Sequence, residues 1–181
     1  MKQIYLFLAD GFEEIEAVTT TDILRRAELH VTTVSIGSSH TVVGAHGIAI
    51  EADTLFDDVD FSDAELLILP GGMPGTSHLD AHEGLKQLLV AHHAKGKKLA
   101  AICAAPLILG KLGLLNGIPA ICYPGYESYL HNAQISSARV AFGQQIITAA
   151  GPGCSVEFGL AIVANLCGDD VSVSVAKVLI A

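Results

Sequence analysis

Apolar residues in this chain fall into short runs, separated by stretches in which apolar positions recur at helical spacing. The run Gln3-Ile-Tyr-Leu-Phe-Leu8, followed by the loop Ala9-Asp10-Gly11-Phe12, predicts a buried strand. Over residues 13–26, Ile15, Val18, Ile23 and Leu24 describe a helix, with acids at its start and Arg25 and Arg26 at its end, aligned against its dipole. Residues 30–36 predict the next strand. The three together make a β-α-β unit, and the handedness of such units implies parallel neighbours.

The alternation continues along the chain. Residues 41–43 and 48–50 flank Gly44 and Gly47 as a small hairpin, and residues 55–63 form an acidic connection. A buried strand at 66–69 ends in Pro70-Gly71-Gly72-Met73-Pro74-Gly75, and an amphipathic helix at 83–94 stops before Gly96. After a strand at 99–102 comes a helix from Pro106 to about Leu112, then a short strand at 120–122. Residues 126–131 fit neither pattern. A hairpin around Gly143 joins 140–142 to 145–148, and Ser155 caps a helix reaching Leu166. The tail at 171–175 alternates with period two, as a strand does, yet Asp169 and Asp170 are equally good helix caps. Pattern leaves that end open. The whole predicts one α/β domain over 1–181, a three-layer α/β/α sandwich with a mostly parallel sheet. Sites in such sheets lie beyond the carboxyl ends of strands, where Asp10, Pro70 to Gly72 and Cys103 all fall.

Cys103 is the candidate that stands out. It ends the strand Leu99 to Ile102, and Ala104, Ala105 and Pro106 follow. Proline suits the first helical position and disfavours helical dihedrals at Ala105, which predicts a sharp turn at the cysteine. Strand, tight turn and helix make a nucleophile elbow carrying Cys instead of Ser. A thiol at a helix N-terminus is expected to have a depressed pKa and to react as thiolate. The competing expectation is an inert packing cysteine, since free cysteines are often buried.

Gly71 and Gly72 let backbone N–H groups approach a ligand, as an oxyanion site needs, although an ordinary turn accounts for them equally. Glu13 and Glu14 suit the helix dipole. Glu16, between Ile15 and Ala17, is expected to be partly buried and protonated, so that it donates a hydrogen bond to a thiolate.

Composition narrows the function classes. A net charge of −9 without a basic stripe argues against a nucleic-acid partner. With charged residues only 16% of the chain, a surface face is apolar enough to be covered in an oligomer. No stretch approaches a membrane span or a signal-peptide core. Cys103, Cys122, Cys154 and Cys167 contain no C-x-x-C pair; two disulfides are arithmetically open, but a chain this size needs no staples, and free thiols in the reducing cytoplasm are expected. His78 and His82, four apart, lack a third ligand, and His92 and His93 point to different faces, so no metal site is expected. Arg26 and His46 are either anion-pocket residues near the site or, more simply, a helix-end cation and a loop side chain.

Four segments, Glu13-Glu-Ile-Glu16-Ala-Val, Leu69-Pro-Gly-Gly72, Ala100-Ala-Ile-Cys103-Ala-Ala-Pro106 and Gly151-Pro-Gly153 leading into Glu157-Phe158, give the chain its likeness to a known group. It resembles the ThiJ/PfpI superfamily, nearest to the parkinsonism-associated, redox-responsive branch and its bacterial members. The resemblance implies a flavodoxin-like (class I glutamine amidotransferase-like) homodimer with a helical tail. It implies Cys103 as the reactive cysteine, Glu16 as its acid, and the amides of Gly72 and Ala104 as oxyanion donors, with Gly71 and Tyr123 at the substrate pocket. It also implies a cofactor-independent, glyoxalase III or deglycase type of activity on methylglyoxal, glyoxal or glycated protein. The alternative is a redox-sensing, stress-protective chaperone whose Cys103 becomes sulfinate. Two departures bear on mechanism. Tyr123 stands where the family often has a histidine, and Ala104 stands where the peptidase branch has one, which ranks amidohydrolase or peptidase activity last.

Overall fold

The computed structural model describes residues 3–181. Its strands are β1 (Gln3–Leu8), β2 (His30–Ser35), β3 (Thr41–Val43), β4 (Ala49–Glu51), β5 (Thr54–Leu55), β6 (Ala64–Leu69), β7 (Lys98–Ile102), β8 (Pro119–Ala120), β9 (Gln134–Ile135), β10 (Val140–Gly143) and β11 (Ile146–Ala149). Its helices are α1 (Glu14–Arg26), α2 (Gly75–Ala81), α3 (Glu83–Ala94), α4 (Pro106–Lys111), α5 (Ser155–Cys167) and α6 (Asp169–Leu179).

The main sheet runs β10-β11-β7-β6-β1-β2-β5, parallel except for the edge pair β10–β11. From β1 the chain moves one way to β2 and β5, then returns past β1 to β6, β7 and β11. Right-handed crossovers therefore place successive helices on opposite faces. Helix α1 packs on α5, and α5 on α6; α2 packs on α3 and α4. This is the flavodoxin-like α/β/α layering, and its point of reversal between β1 and β6 is where such folds place sites. No helix among the described residues is long and apolar enough to cross a membrane.

Ile4 to Leu8, Leu66 to Leu69 and Leu99 to Ile102 are all buried, as parallel strands covered on both faces must be. Phe7, fully buried, stacks at 5.6 Å on Phe61 and 6.1 Å on Phe56. Phe7→Ala is expected to cost about 3–5 kcal/mol, measured by urea unfolding. Helices α1 and α5 approach closely because Gly159 has no side chain: a Cβ there would lie 2.9 Å from Ile23 Cδ1.

The tail, which pattern left open and the resemblance implied to be helical, is a helix: its small residues and terminal acids suit a helix lying on α5, with Val175 the buried contact. Several other expectations are corrected. Residues 120–122 do not extend the main sheet; Pro119 and Ala120 pair with Gln134 and Ile135 in a separate two-stranded sheet. The β10–β11 turn is made by Gln144, at φ 48°, and Gly143 belongs to the strand, where a Cβ would meet Ile118 at 2.8 Å. Helix α2 was masked by its Gly, Thr and Ser content. Ser155 is the first residue of α5 and not its cap; its hydroxyl donates to Pro152 O at 2.7 Å. Ile15 and Val18 are exposed, while α1 buries Glu14, Glu16, Ala17, Thr20 and Thr21.

Candidate active site

Two strand ends and the start of a helix meet beside the reversal point. Strand β7 delivers Cys103 at φ 64°, a left-handed conformation rare for a side-chain-bearing residue. The surroundings hold it there: its N–H donates to Ala149 O at 2.9 Å, and its carbonyl accepts from Tyr123 N at 2.7 Å. Because Cys103 absorbs the turn, Ala105 takes helical dihedrals (φ −60°, ψ −28°) despite preceding Pro106, contrary to the expectation from sequence. The elbow is formed with its turn at Cys103, as the sequence predicted.

Strand β6 delivers Gly71 and Gly72. Gly72 sits at φ 90°, and a Cβ there would lie 2.3 Å from Glu13 N. Only glycine fits. The Gly71 carbonyl accepts from Glu13 N at 2.9 Å, tying this loop to the start of α1. Helix α1 then brings in Glu16, fully buried, whose Oε2 accepts from Gly71 N at 2.6 Å. Glu16 and Cys103 stand on either side of Gly71, whose missing Cβ would lie 2.9 Å from Glu16 Oε2 and 2.6 Å from Cys103 Cβ, while Glu16 Oε1 is buried without a hydrogen-bond partner. Cys103 is only 8% exposed, and the backbone amides of Gly72 and Ala104 favour its thiolate.

The electrostatics correct one expectation. Burial pushes the Glu16 carboxyl up to about 7, against the Gly71 amide and the Cys103 thiol, with Glu13 adding repulsion. Burial likewise pushes the Cys103 thiol up, and the Glu16 charge adds to it; the Gly72 and Ala104 amides work the other way. A depressed thiol standing alone is therefore not what the site contains. Two anions this close in an apolar setting oppose each other, so thiolate forms when the proton resides on Glu16.

The other candidates are distributed around this pair. Tyr123 supports Cys103 through its backbone; its ring is half-exposed and lies against Gly151, where a Cβ would meet it at 3.1 Å. Arg26 is at the far end of α1, paired with Asp22 at 2.6 Å, so it and His46 do not share a pocket. His78 bonds to Asp10 O at 2.8 Å, and His82 Nδ1 accepts from Leu85 N at 3.0 Å as the α3 cap. Glu14 is not a solvated dipole partner: burial raises its carboxyl, but bonds from His46 and Ile48 outweigh that and hold it below the ordinary value. Pairing of this kind, across a loop, has no local signal in sequence. All four cysteines are free.

Residues 2–165 match the DJ-1/PfpI family. The chain belongs to that family. It is 37% identical over 181 residues to Protein DJ-1 homolog B of Arabidopsis thaliana, covering 99% of this chain and 41% of that protein. The chain thus spans less than half the length of the Arabidopsis relatives it matches. It is 32% identical over 177 residues to the Caenorhabditis elegans glutathione-independent glyoxalase DJR-1.2, covering 97% of this chain and 94% of that one. The solved structure of oxidized Toxoplasma gondii DJ-1 superposes with a TM-score of 0.95 at 32% identity, covering 99% of this chain and 98% of that one. Membership of the DJ-1/PfpI family accords with the four segments that carried the resemblance, and the fold agrees with it throughout.

Proposed function

We propose that this DJ-1/PfpI protein converts small reactive aldehydes such as methylglyoxal and glyoxal, or their adducts on proteins, by a glyoxalase III or deglycase route. The observation that carries this is the fully buried Glu16 standing beside Cys103 across Gly71, whose missing Cβ would lie 2.9 Å from Glu16 Oε2 and 2.6 Å from Cys103 Cβ. The similarity to a glutathione-independent glyoxalase supports it.

With the thiol proton on Glu16, the Cys103 sulfur adds to the aldehyde carbon. A C–S bond forms, and the carbonyl electron pair moves to oxygen, where the two amides receive it. The oxygen is protonated to give a hemithioacetal. Glu16, ionised once its proton has passed to that oxygen, removes hydrogen from the former aldehyde carbon and returns it to the neighbouring ketone carbon through an enediol. One carbon is oxidised as the other is reduced, so no external oxidant is consumed. Water cleaves the resulting thioester, releasing lactate and the free thiol. Glu16, the buried carboxyl beside Cys103, is the proton carrier in this scheme.

The exposed apolar residues Ile15, Val18, Val43 and Ile48 supply a surface for pairing two copies, and we place the working form as a cytoplasmic homodimer. Incubation with methylglyoxal is expected to yield lactate, and Cys103→Ala is expected to reduce it to the level without protein. Lactate surviving that substitution removes the nucleophile.

A second reading is favoured by one feature: the same amides and acid can hold a sulfinate, and the similar Toxoplasma structure is of an oxidized form. Cys103 oxidised by peroxide would then be a redox signal. Mild peroxide adding two oxygens at Cys103 alone, with no aldehyde turnover, selects that role.

A further inference from the structure

Two oxygens on the inner face of α1 are used by neither reading above. Glu16 is fully buried and Thr20, one turn further along the helix, is 1% exposed. Gly71 N holds Glu16 Oε2 at 2.6 Å. Glu16 Oε1 and Thr20 Oγ1 are both buried and have no hydrogen-bond partner among the described residues. The threonine therefore does not make the bond to the carbonyl one turn back that hydroxyls in helices commonly make. Helical side chains four apart have Cβ atoms about 5–6 Å from each other. Side chains on a helix also lean toward its N-terminus, which lays Thr20 over the turn that carries Glu16. A water making two hydrogen bonds of about 2.8 Å joins oxygens up to about 5.5 Å apart. The helix itself sets that spacing.

We propose that one internal water bridges Glu16 Oε1 and Thr20 Oγ1, and that through it Thr20 acts as a positioning residue for the Glu16 carboxyl. Buried polar atoms without protein partners are where internal waters sit. The hydroxyl and the water each donate and accept, so the bridge serves the carboxyl with or without its proton. The charged form gains more, because a hydrogen bond to a carboxylate is stronger than one to a neutral acid. Thr20 thus works with Gly71 N to favour the ionised acid against burial. The other titratable groups around Glu16 are Cys103, across Gly71, and Glu13 at the N-cap of α1. Helix α5, packed on α1, carries the free thiols Cys154 and Cys167, and Glu157, which is exposed and paired with Arg139 at 2.7 Å. Beneath the helix, β1 carries Tyr5, whose hydroxyl donates to Asp63 at 3.0 Å, and β2 carries His30, which is exposed. Both oxygens of the bridge are enclosed by the chain itself, so pairing of two copies leaves them as they are.

Thr20→Val and Thr20→Ala remove the hydroxyl, and Thr20→Ser keeps it. Each is unfolded by urea across the pH range, with Glu16 intact and in the Glu16→Gln background, and circular dichroism reports folding. A group whose pKa is raised on folding loses its stabilising share as pH climbs to the folded value and then levels off. The cost of Glu16 relative to glutamine is expected to level off near pH 7 in wild type and in Thr20→Ser, and about one unit higher in Thr20→Val, the scale of one hydrogen bond to a carboxylate. With Glu16→Gln, Thr20→Val is expected to change stability equally at every pH. A carboxyl that keeps its proton longer repels the thiolate less, so the Cys103 alkylation midpoint is expected to fall in Thr20→Val and to stay put once Glu16 is glutamine. A crystal structure is expected to show a water within hydrogen-bond distance of both oxygens. An unmoved plateau in both hydroxyl-free variants, a shift that persists with Glu16→Gln, or no rescue by serine overturns the proposal. So does a crystal structure in which the two oxygens bond directly or have no water between them. No readout uses turnover, so failure of the aldehyde reading and failure of this one are told apart.

Discussion

Glu16→Gln is expected to lower methylglyoxal turnover by about 10²–10⁴-fold, the usual contribution of a general acid–base group, while making the protein more stable above neutral pH. Glu16 is fully buried and its carboxyl is pushed up to about 7 from 4.5, chiefly by that burial. The native state therefore binds more protons than the unfolded chain between these values, and stability falls as pH rises from about 4.5 toward 7. At 1.36 kcal/mol per pKa unit the full loss is about 3 kcal/mol. Glutamine keeps an acceptor for Gly71 N but carries no charge, so Glu16→Gln avoids most of that loss. Urea unfolding is expected to show equal stability near pH 4 and a variant about 1–3 kcal/mol more stable near pH 8.

The same substitution separates thiol acidity from catalysis. The Glu16 charge helps to raise the Cys103 thiol, so its removal is expected to move the pH midpoint of Cys103 alkylation downward. A more readily formed thiolate accompanied by collapsed turnover assigns Glu16 to proton transfer. A midpoint that stays put, or activity that survives, denies it that role.

Gly71→Ala is the second large effect. The new Cβ would lie 2.6 Å from Cys103 Cβ, 2.9 Å from Glu16 Oε2 and 3.0 Å from Ile102 O. None of these is the free end of a flexible chain: the cysteine is held at the elbow, the carboxylate by the Gly71 amide itself, and the carbonyl by the end of β7. The clash is relieved by parting acid from thiol. A stability loss of about 1–3 kcal/mol is expected, typical of overpacking, together with loss of turnover in protein that remains folded at low temperature. Gly153→Ala is the control, because a Cβ there meets nothing within 4 Å. Lactate formation and thermal melts on both variants check the pair. Normal activity in Gly71→Ala would show that the close approach of Glu16 to Cys103 is dispensable.

The elements most legible along the chain were those with a strong local period. The apolar runs at Ile4 to Leu8, Leu66 to Leu69 and Leu99 to Ile102 are buried parallel strands, and the acid-to-base polarity of residues 13–26 marks α1. The elbow was legible because a strand, a cysteine and a proline stand in immediate succession. Helix α2 and the helical tail were not, since small and β-branched residues satisfy either state until packing on α3 and α5 decides.

By itself, then, the sequence determined the alternation of strands and helices, the parallel three-layer architecture and the place of Cys103, Gly72 and Glu16 at strand and helix ends. Tertiary structure decided what those groups experience. Glu16 meets Gly71 across 55 positions, and Glu14 meets His46 across 32. Burial at that crossing raises both the acid and the thiol, where helix polarity alone predicted a depressed thiol. The reason is one of range: hydrophobic period and turn chemistry act over a few residues and can be read locally, whereas desolvation and charge pairing depend on every chain segment that closes around a group.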